Sequence, residues 1–263
     1  MKLPKKSLGQ NFLVDKNIIK KILSLTVIKG RHVIEIGPGK GALTDEILKN
    51  KPTSLIVIEK DYELSEYLKS KYSKNKNVIV YNNDILKFNL EKIIKKKTII
   101  FGNLPYNISS QILVKIIKFK KWPPSFFDLI LMFQKELGNK IIGTYKSINY
   151  SRLSILTNLR LTNVNKFLVS PNCFRPKPKI KSMVLHFTPK KMKYKINNIS
   201  NLEKVTNIFF SNKRKMINKN IKKILNKKEI SQINGLTLKL RPSQLRPDIY
   251  YNITEFLERK NLV

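Results

Sequence analysis

His32-Val33-Ile34-Glu35-Ile36-Gly37-Pro38-Gly39-Lys40-Gly41 reads as a buried strand running into a glycine turn, and Ala42 to about Lys49 continues it as a helix. A strand, a glycine turn and a helix N-terminus let the backbone approach a ligand closely and point free N–H groups at it. The pattern then repeats. Leu55-Ile56-Val57-Ile58 ends in Glu59, and Val78-Ile79-Val80-Tyr81 ends near Asp84. Thr98-Ile99-Ile100 leads into Phe101-Gly102-Asn103-Leu104-Pro105-Tyr106. Apolar strand, polar tip and helix in regular alternation predict an α/β fold: a doubly wound, Rossmann-like parallel sheet with its polar tips along one edge.

Two ligands compete for the glycine turn. Gly37, Gly39 and Ala42 can be fitted to the G-x-G-x-x-G/A pattern of nicotinamide enzymes, whereas Gly37, Gly39 and Gly41 form a G-x-G-x-G turn suited to S-adenosylmethionine. The glycines alone do not decide. Glu59 lies about 20 residues past them, the spacing at which a carboxylate accepts the hydroxyls of a ribose. With Asp84 and Asn103 it reads better as a set of contacts to ribose, adenine and methionine than to a pyrophosphate. No hydride-transfer apparatus follows, so the methyl donor is preferred.

Asn103-Leu104-Pro105-Tyr106 stands where a strand ends and a helical segment begins at Asn107-Ile108-Ser109. Pro105 fixes φ and holds the neighbouring carbonyls, Asn103 offers an acceptor, and Tyr106 offers a stacking face. Together they can grip the exocyclic amine of an adenine. A proline-stiffened turn with a buried Tyr is the plainer reading of these four residues taken alone.

The 263 residues are enough for a full α/β core and a small second domain. Lys and Arg number 53 against 17 Asp and Glu, a net charge of +36, which attracts polyanions and makes nucleic acid the leading partner. Lys, Asn and Ile are abundant throughout, which points to an AT-rich coding bias as one cause. The single Cys173 leaves no internal disulfide, no Cys/His cluster offers zinc ligands, and His32 and His186 lie in strand-like runs as structural residues. No apolar run reaches transmembrane length and Met1 to Lys6 lacks a signal-peptide core, so a cytoplasmic protein without membrane attachment is expected.

Elsewhere, Asp15 reads as the N-cap of a helix to about Leu25, Phe127 to Phe133 as a fifth strand, and Ser151 to Leu161 as a helix. Asn172 to Lys179 is a proline-pinned basic loop with one aromatic, Phe174, which fits either a base-stacking role or a plug in the core. Lys181 to Phe187 closes the sheet in a hairpin with Val164 to Val169. From about Lys190 the chain becomes polar and helical, with one helix running from Phe209 through Ile217 and Ile221 to Leu225 and a last one near Pro247 to Leu257. Residues 1–189 are therefore expected to form the cofactor-binding domain and 190–263 a helical RNA-binding domain with a basic face.

Taken together these motifs resemble one family, the bacterial small-subunit ribosomal RNA adenine N6,N6-dimethyltransferases. The resemblance covers nearly the whole chain. It rests on Gly9-Gln10-Asn11-Phe12-Leu13, Val33 to Gly39, Val57-Ile58-Glu59, Phe101 to Ser109, Gln134-Lys135-Glu136, Arg152-Leu153-Ser154 and Phe174-Arg175-Pro176-Lys177-Pro178-Lys179. It implies S-adenosylmethionine contacts at Asn11, Leu13, Gly37, Glu59, Asp84 and Asn103. It also implies a catalytic tip of Asn103, Leu104, Pro105 and Tyr106, with Tyr106 and Phe174 sandwiching the target base. The implied substrate is a pair of adjacent adenosines in the 3′-terminal hairpin of 16S rRNA, each methylated twice by a monomer acting on the immature 30S subunit during ribosome biogenesis. Ser151, where many relatives have Gly, and Arg241-Pro242-Ser243, in place of Arg-Ala-Glu, depart from the pattern. The related Erm methylases of 23S rRNA and a non-catalytic 30S assembly factor are the alternatives. Asn-Leu-Pro-Tyr and the Phe209 helix favour the small-subunit enzyme, and the complete pocket speaks against a pure binding role.

Overall fold

The computed structural model describes residues 10–262; Ser7 to Gly9 and the Met1 to Lys6 start lie outside them. The strands among the described residues are β1 (Phe12–Leu13), β2 (His32–Ile36), β3 (Ser54–Glu59), β4 (Val78–Asn82), β5 (Thr98–Asn103), β6 (Phe126–Gln134), β7 (Leu161–Val169), β8 (Phe174–Arg175) and β9 (Ser182–Pro189). Seven of them form one sheet in the order β4-β3-β2-β5-β6-β9-β7. β2 pairs in parallel with both β3 and β5, β3 with β4 and β5 with β6, while β9 runs antiparallel to β6. The order reverses at the β2/β5 boundary, where an open parallel sheet leaves a crevice at its carboxyl edge.

The β-branched runs explain the central strands. Val33, Ile34, Ile36, Ile99, Ile100 and Phe101 are all buried, as expected where helices cover both faces of a parallel sheet. The helix Lys16–Leu23 begins at Asp15, whose side chain accepts from the N–H groups of Asn17 and Ile18, and Ala42–Lys49 follows the glycine turn as the sequence predicts. β7 and β9 are neighbours, matching the expected closing pair. His186 is structural: its Nε2 lies 2.6 Å from Asp128 Oδ1, and the Thr26 hydroxyl donates to the other Asp128 oxygen.

By contact the chain forms two compact units. One comprises Met1–Ile116, Pro124–Gly138 and Thr162–Pro189, and the other Ile117–Pro123, Asn139–Leu161 and Lys190–Val263. The helical unit thus takes in 117–123 and 139–161, which sequence order had placed with the sheet. Within it, Arg160 donates to the carbonyls of Ile117 and Phe119, 2.6 Å each, and its guanidinium lies 4.6 Å from the Trp122 ring centre. Tyr250 is fully buried, meets Phe209 edge-on at 5.5 Å and donates to the Pro242 carbonyl.

The expected continuous helix from Phe209 to Leu225 is corrected by the structure. A helix spans Ile199–Phe210, a turn follows, and a short helix covers Asn218–Ile221. The run Ser211-Asn212-Lys213-Arg214-Lys215 combines poor helix formers with mutually repelling charges, and the Ile217 N–H bonds instead to the Leu240 carbonyl. Phe209, Ile217, Ile221 and Leu225 are all buried, so the apolar spacing marked core contacts rather than one rod. Ser151 is explained locally. Its extended backbone caps Arg152–Arg160 through a reciprocal pair with Ser154, a conformation that needs no glycine.

Candidate functional site

The carboxyl ends of β2, β3, β4 and β5 open onto a cavity of about 210 Å³ lined by the glycine turn, the strand tips and residues 10–14. Every residue expected to touch the cofactor lines it: Asn11, Leu13, Gly37, Glu59, Asp84 and Asn103. So do Leu104, Pro105 and Tyr106.

Two glycines shape the floor. Gly37 has φ of +70°, and a Cβ there would lie 3.3 Å from the Asn103 carbonyl; Gly39 has φ of +58°, and a Cβ would lie 2.5 Å from the Phe12 ring. Only glycine combines this left-handed backbone with so close an approach. The Gly39 N–H donates to Glu59 Oε2 at 3.3 Å and the Asp61 N–H to Glu59 Oε1 at 2.9 Å, so this carboxylate joins turn and strand tip. Burial pushes the Glu59 carboxyl above the ordinary range, against the pull of those two N–H groups. Glu35, beneath the turn, is buried and accepts from the Thr44 hydroxyl at 2.7 Å. Burial lifts its carboxyl to about 8, the Thr44 bond opposes this, and Asp45 and Glu59 add to it.

Asp84 sits differently. Lys60 Nζ lies 2.9 Å from one oxygen and the Leu86 N–H donates to the other at 2.9 Å, which together hold its carboxyl below the ordinary range. The Asn82 amide donates to the Glu59 carbonyl at 3.1 Å and so links the β3 and β4 tips.

At the β5 tip the Asn103 Nδ2 donates to the Asn11 carbonyl at 3.2 Å. The Ile108 N–H donates to the Pro105 carbonyl and the Ser109 hydroxyl to the Tyr106 carbonyl, which closes the turn into the helix Ser109–Ile117. The half-buried Tyr106 has its hydroxyl 2.6 Å from that of Ser182, and burial raises its phenol.

Phe174 lies elsewhere. It is fully buried in the core with Leu13, Phe101 and Val184, and does not line the cavity. β8 pairs with β1, opposing Phe174 to Leu13 and Arg175 to Phe12, and the Val14 N–H donates to the Cys173 carbonyl. A large apolar ring gains more from this core than from solvent at the loop surface. In this structure the Phe174 ring thus packs as a plug of the core and not against the cavity that holds Tyr106. Sequence reading missed Ser182 and Phe12. Phe12 lies against Gly39 with Lys40 Nζ 5.4 Å from its ring centre, and neither residue type carries a local signature of such a role.

The cavity thus combines a backbone cradle, a buried carboxylate and an amide–proline–tyrosine tip. Among the described residues no helix is long and apolar enough to cross a membrane.

Residues 1–259 match the model of the family described as ribosomal RNA adenine dimethylase. A ribosomal RNA small subunit methyltransferase A of Pelagibacter ubique is 47% identical over 97% of this chain and 97% of its own length. Its namesake from Francisella tularensis subsp. novicida is 36% identical over 96% of this chain and 97% of its own. Among solved structures, a dimethyladenosine transferase from Plasmodium falciparum superposes with a TM-score of 0.74 at 24% identity, covering 95% of this chain and 98% of that one. The 23S rRNA methyltransferase ErmE superposes at 0.68 and 23% identity, covering 94% of this chain and all of that one. These two likenesses establish the fold as that of a class I methyltransferase, and the family match with the sequence relatives places this chain in the ribosomal RNA adenine dimethylase family.

Proposed function

We propose that the protein transfers methyl groups from S-adenosylmethionine to N6 of two adjacent adenosines in the 3′-terminal hairpin loop of 16S rRNA, dimethylating each. It acts as a cytoplasmic monomer on the immature 30S subunit. The observation that carries this reading is the Asn103–Tyr106 tip, which shares one cavity with the Gly37–Gly39 cradle and Glu59. Small-subunit names on relatives at 36–47% identity favour this target over the 23S rRNA of the Erm methylases, with which the chain shares its fold.

The cavity fits the cofactor. A Cβ at Gly37 or Gly39 would press on the Asn103 carbonyl or the Phe12 ring. Glu59, Asp84, Leu13 and Asn11 line the cavity, where Glu59 would accept the ribose hydroxyls and the others would flank the adenine and the methionine portion. When bound, S-adenosylmethionine supplies a methyl already activated on a sulfonium.

What the chain must supply is orientation. Adenine N6 is a poor nucleophile because its lone pair is delocalised into the ring. Accepting N6–H bonds at the Asn103 Oδ1 and the Leu104 carbonyl would draw the nitrogen toward a tetrahedral shape and aim its lone pair. Tyr106 would stack on the ring, and the basic helical unit would hold RNA phosphates. No strong general base is required, since the alkylated nitrogen is acidic and releases its proton to water.

The deciding experiment follows labelled methyl from S-adenosylmethionine into immature 30S particles and into 23S rRNA, with nucleosides resolved by mass. Dimethyladenosine in the 16S 3′-terminal hairpin is expected. Label only in 23S rRNA would move the protein to the Erm methylases, and tight 30S binding without transfer would make it an assembly factor.

A further inference from the structure

We propose that Ser182 is a positioning residue for methyl transfer, its hydroxyl fixing the plane in which the Tyr106 ring meets the target base. The inference rests on the reading of Tyr106 as the stacking face.

The topology brings the two together. Because β9 runs antiparallel to β6, its first residue lies at the carboxyl edge of the sheet: Ser182 opposes Gln134, while Asn103 opposes Met132 on the other side of β6. A strand that begins at this edge places beside the β5 tip a residue 76 positions away in sequence from Tyr106. Ser182 is fully buried and its backbone is fixed in the ladder, with the preceding carbonyl, of Lys181, accepting from the Lys135 N–H at 3.0 Å. Its hydroxyl is therefore an immobile anchor.

Tyr106 needs one. The residue follows Pro105 in a turn, its ring is only half-buried, and two torsions connect ring to backbone. With the hydroxyl held at 2.6 Å, neither torsion remains free, and the ring face is set before RNA arrives. Without the anchor the ring must be ordered at each encounter, a cost that falls on the oriented complex and spares the cofactor. A buried tyrosine hydroxyl also requires a partner for plain stability, so the test must separate the two roles.

The test compares Ser182→Ala, Ser182→Thr, Tyr106→Phe, the Ser182→Ala/Tyr106→Phe double variant and Tyr106→Ala. It measures kcat and KM on immature 30S particles and, separately, S-adenosylmethionine Kd by calorimetry. One net hydrogen bond corresponds to a loss of about tenfold in kcat for Ser182→Ala and for Tyr106→Phe. The double variant should be no slower than either, Ser182→Thr should recover most of the rate, and cofactor Kd should stay unchanged. Wild-type kcat in Ser182→Ala or Tyr106→Phe, or losses that multiply in the double variant, would overturn the proposal. Should Ser182→Ala fail to fold, Tyr106→Phe and Ser182→Thr still decide it. Wild-type kcat in Tyr106→Ala would instead remove the stacking reading itself, whereas a large loss there with none in Ser182→Ala removes only the anchor.

Discussion

The side-chain amide of Asn103 donates from Nδ2 to the backbone carbonyl of Asn11, 3.2 Å away and 92 positions distant in sequence. A carbonyl oxygen only accepts, so the nitrogen must face it, and Oδ1 is left as the acceptor of the amide. The carbonyl just ahead of β1 thereby sets which way round the Asn103 amide points.

Asn103→Asp tests that orientation with almost no change in shape. A carboxylate cannot donate to the Asn11 carbonyl, and its oxygen there is repelled. Transfer to 30S particles should fall by about 10²–10³-fold, the loss typical of removing one preorganised polar group. Cofactor affinity, measured separately by calorimetry, should change far less. Near-normal transfer would remove Asn103 from its assigned role.

Phe174 should behave as a core residue. Phe174→Ala is expected to lower stability by about 3–5 kcal/mol in chemical denaturation, and Phe174→Leu by much less. The Leu variant should transfer methyl at close to the normal rate, since no aromatic face is needed there. A large kcat loss in a stably folded Phe174→Leu protein would return the ring to the base.

Glu35 gives a pH dependence whose sign can be worked out. Its carboxyl stands at about 8 in the folded protein against 4.5 ordinarily, so between these values the native state holds a proton that the unfolded chain has lost. Stability without cofactor should therefore fall as pH rises through that window, by up to about 1.4 kcal/mol per pH unit from this group. Glu35→Gln carries no such proton and should flatten that part of the profile and be the more stable protein at pH 8. Denaturation curves from pH 5 to pH 8 check this, and an unchanged slope in the variant would refute it.

Asp128 holds two partners, His186 and Thr26, in the sheet core. Asp128→Ala strands both and should cost about 2–4 kcal/mol, read from the urea midpoint. Asp128→Asn keeps hydrogen-bonding capacity and should cost less. Equal losses in the two variants would show that the charge, and not the bonding, is what matters.

The strands, the glycine turn and the tips Glu59, Asp84 and Asn103 were legible in the chain because each is set by local pattern: β-branched runs, a left-handed backbone, a proline after an amide. Their convergence on one edge followed from the parallel alternation alone. What tertiary structure decided involves residues far apart in sequence. Phe174 could serve core or site on its local motif, and only the fold shows its ring opposite Leu13 in a core with Phe101. The stretch from Phe209 to Leu225 kept its apolar spacing but lost its continuity, because a carbonyl from Leu240 took the Ile217 N–H. Asn11 stands in a recognisable motif, but the partners of its carbonyl and of the Ser182 hydroxyl were not legible, since a backbone oxygen and a lone serine acquire meaning only from what the fold sets beside them. Local sequence placed the chemical groups on one edge, and long-range pairing decided how each is held.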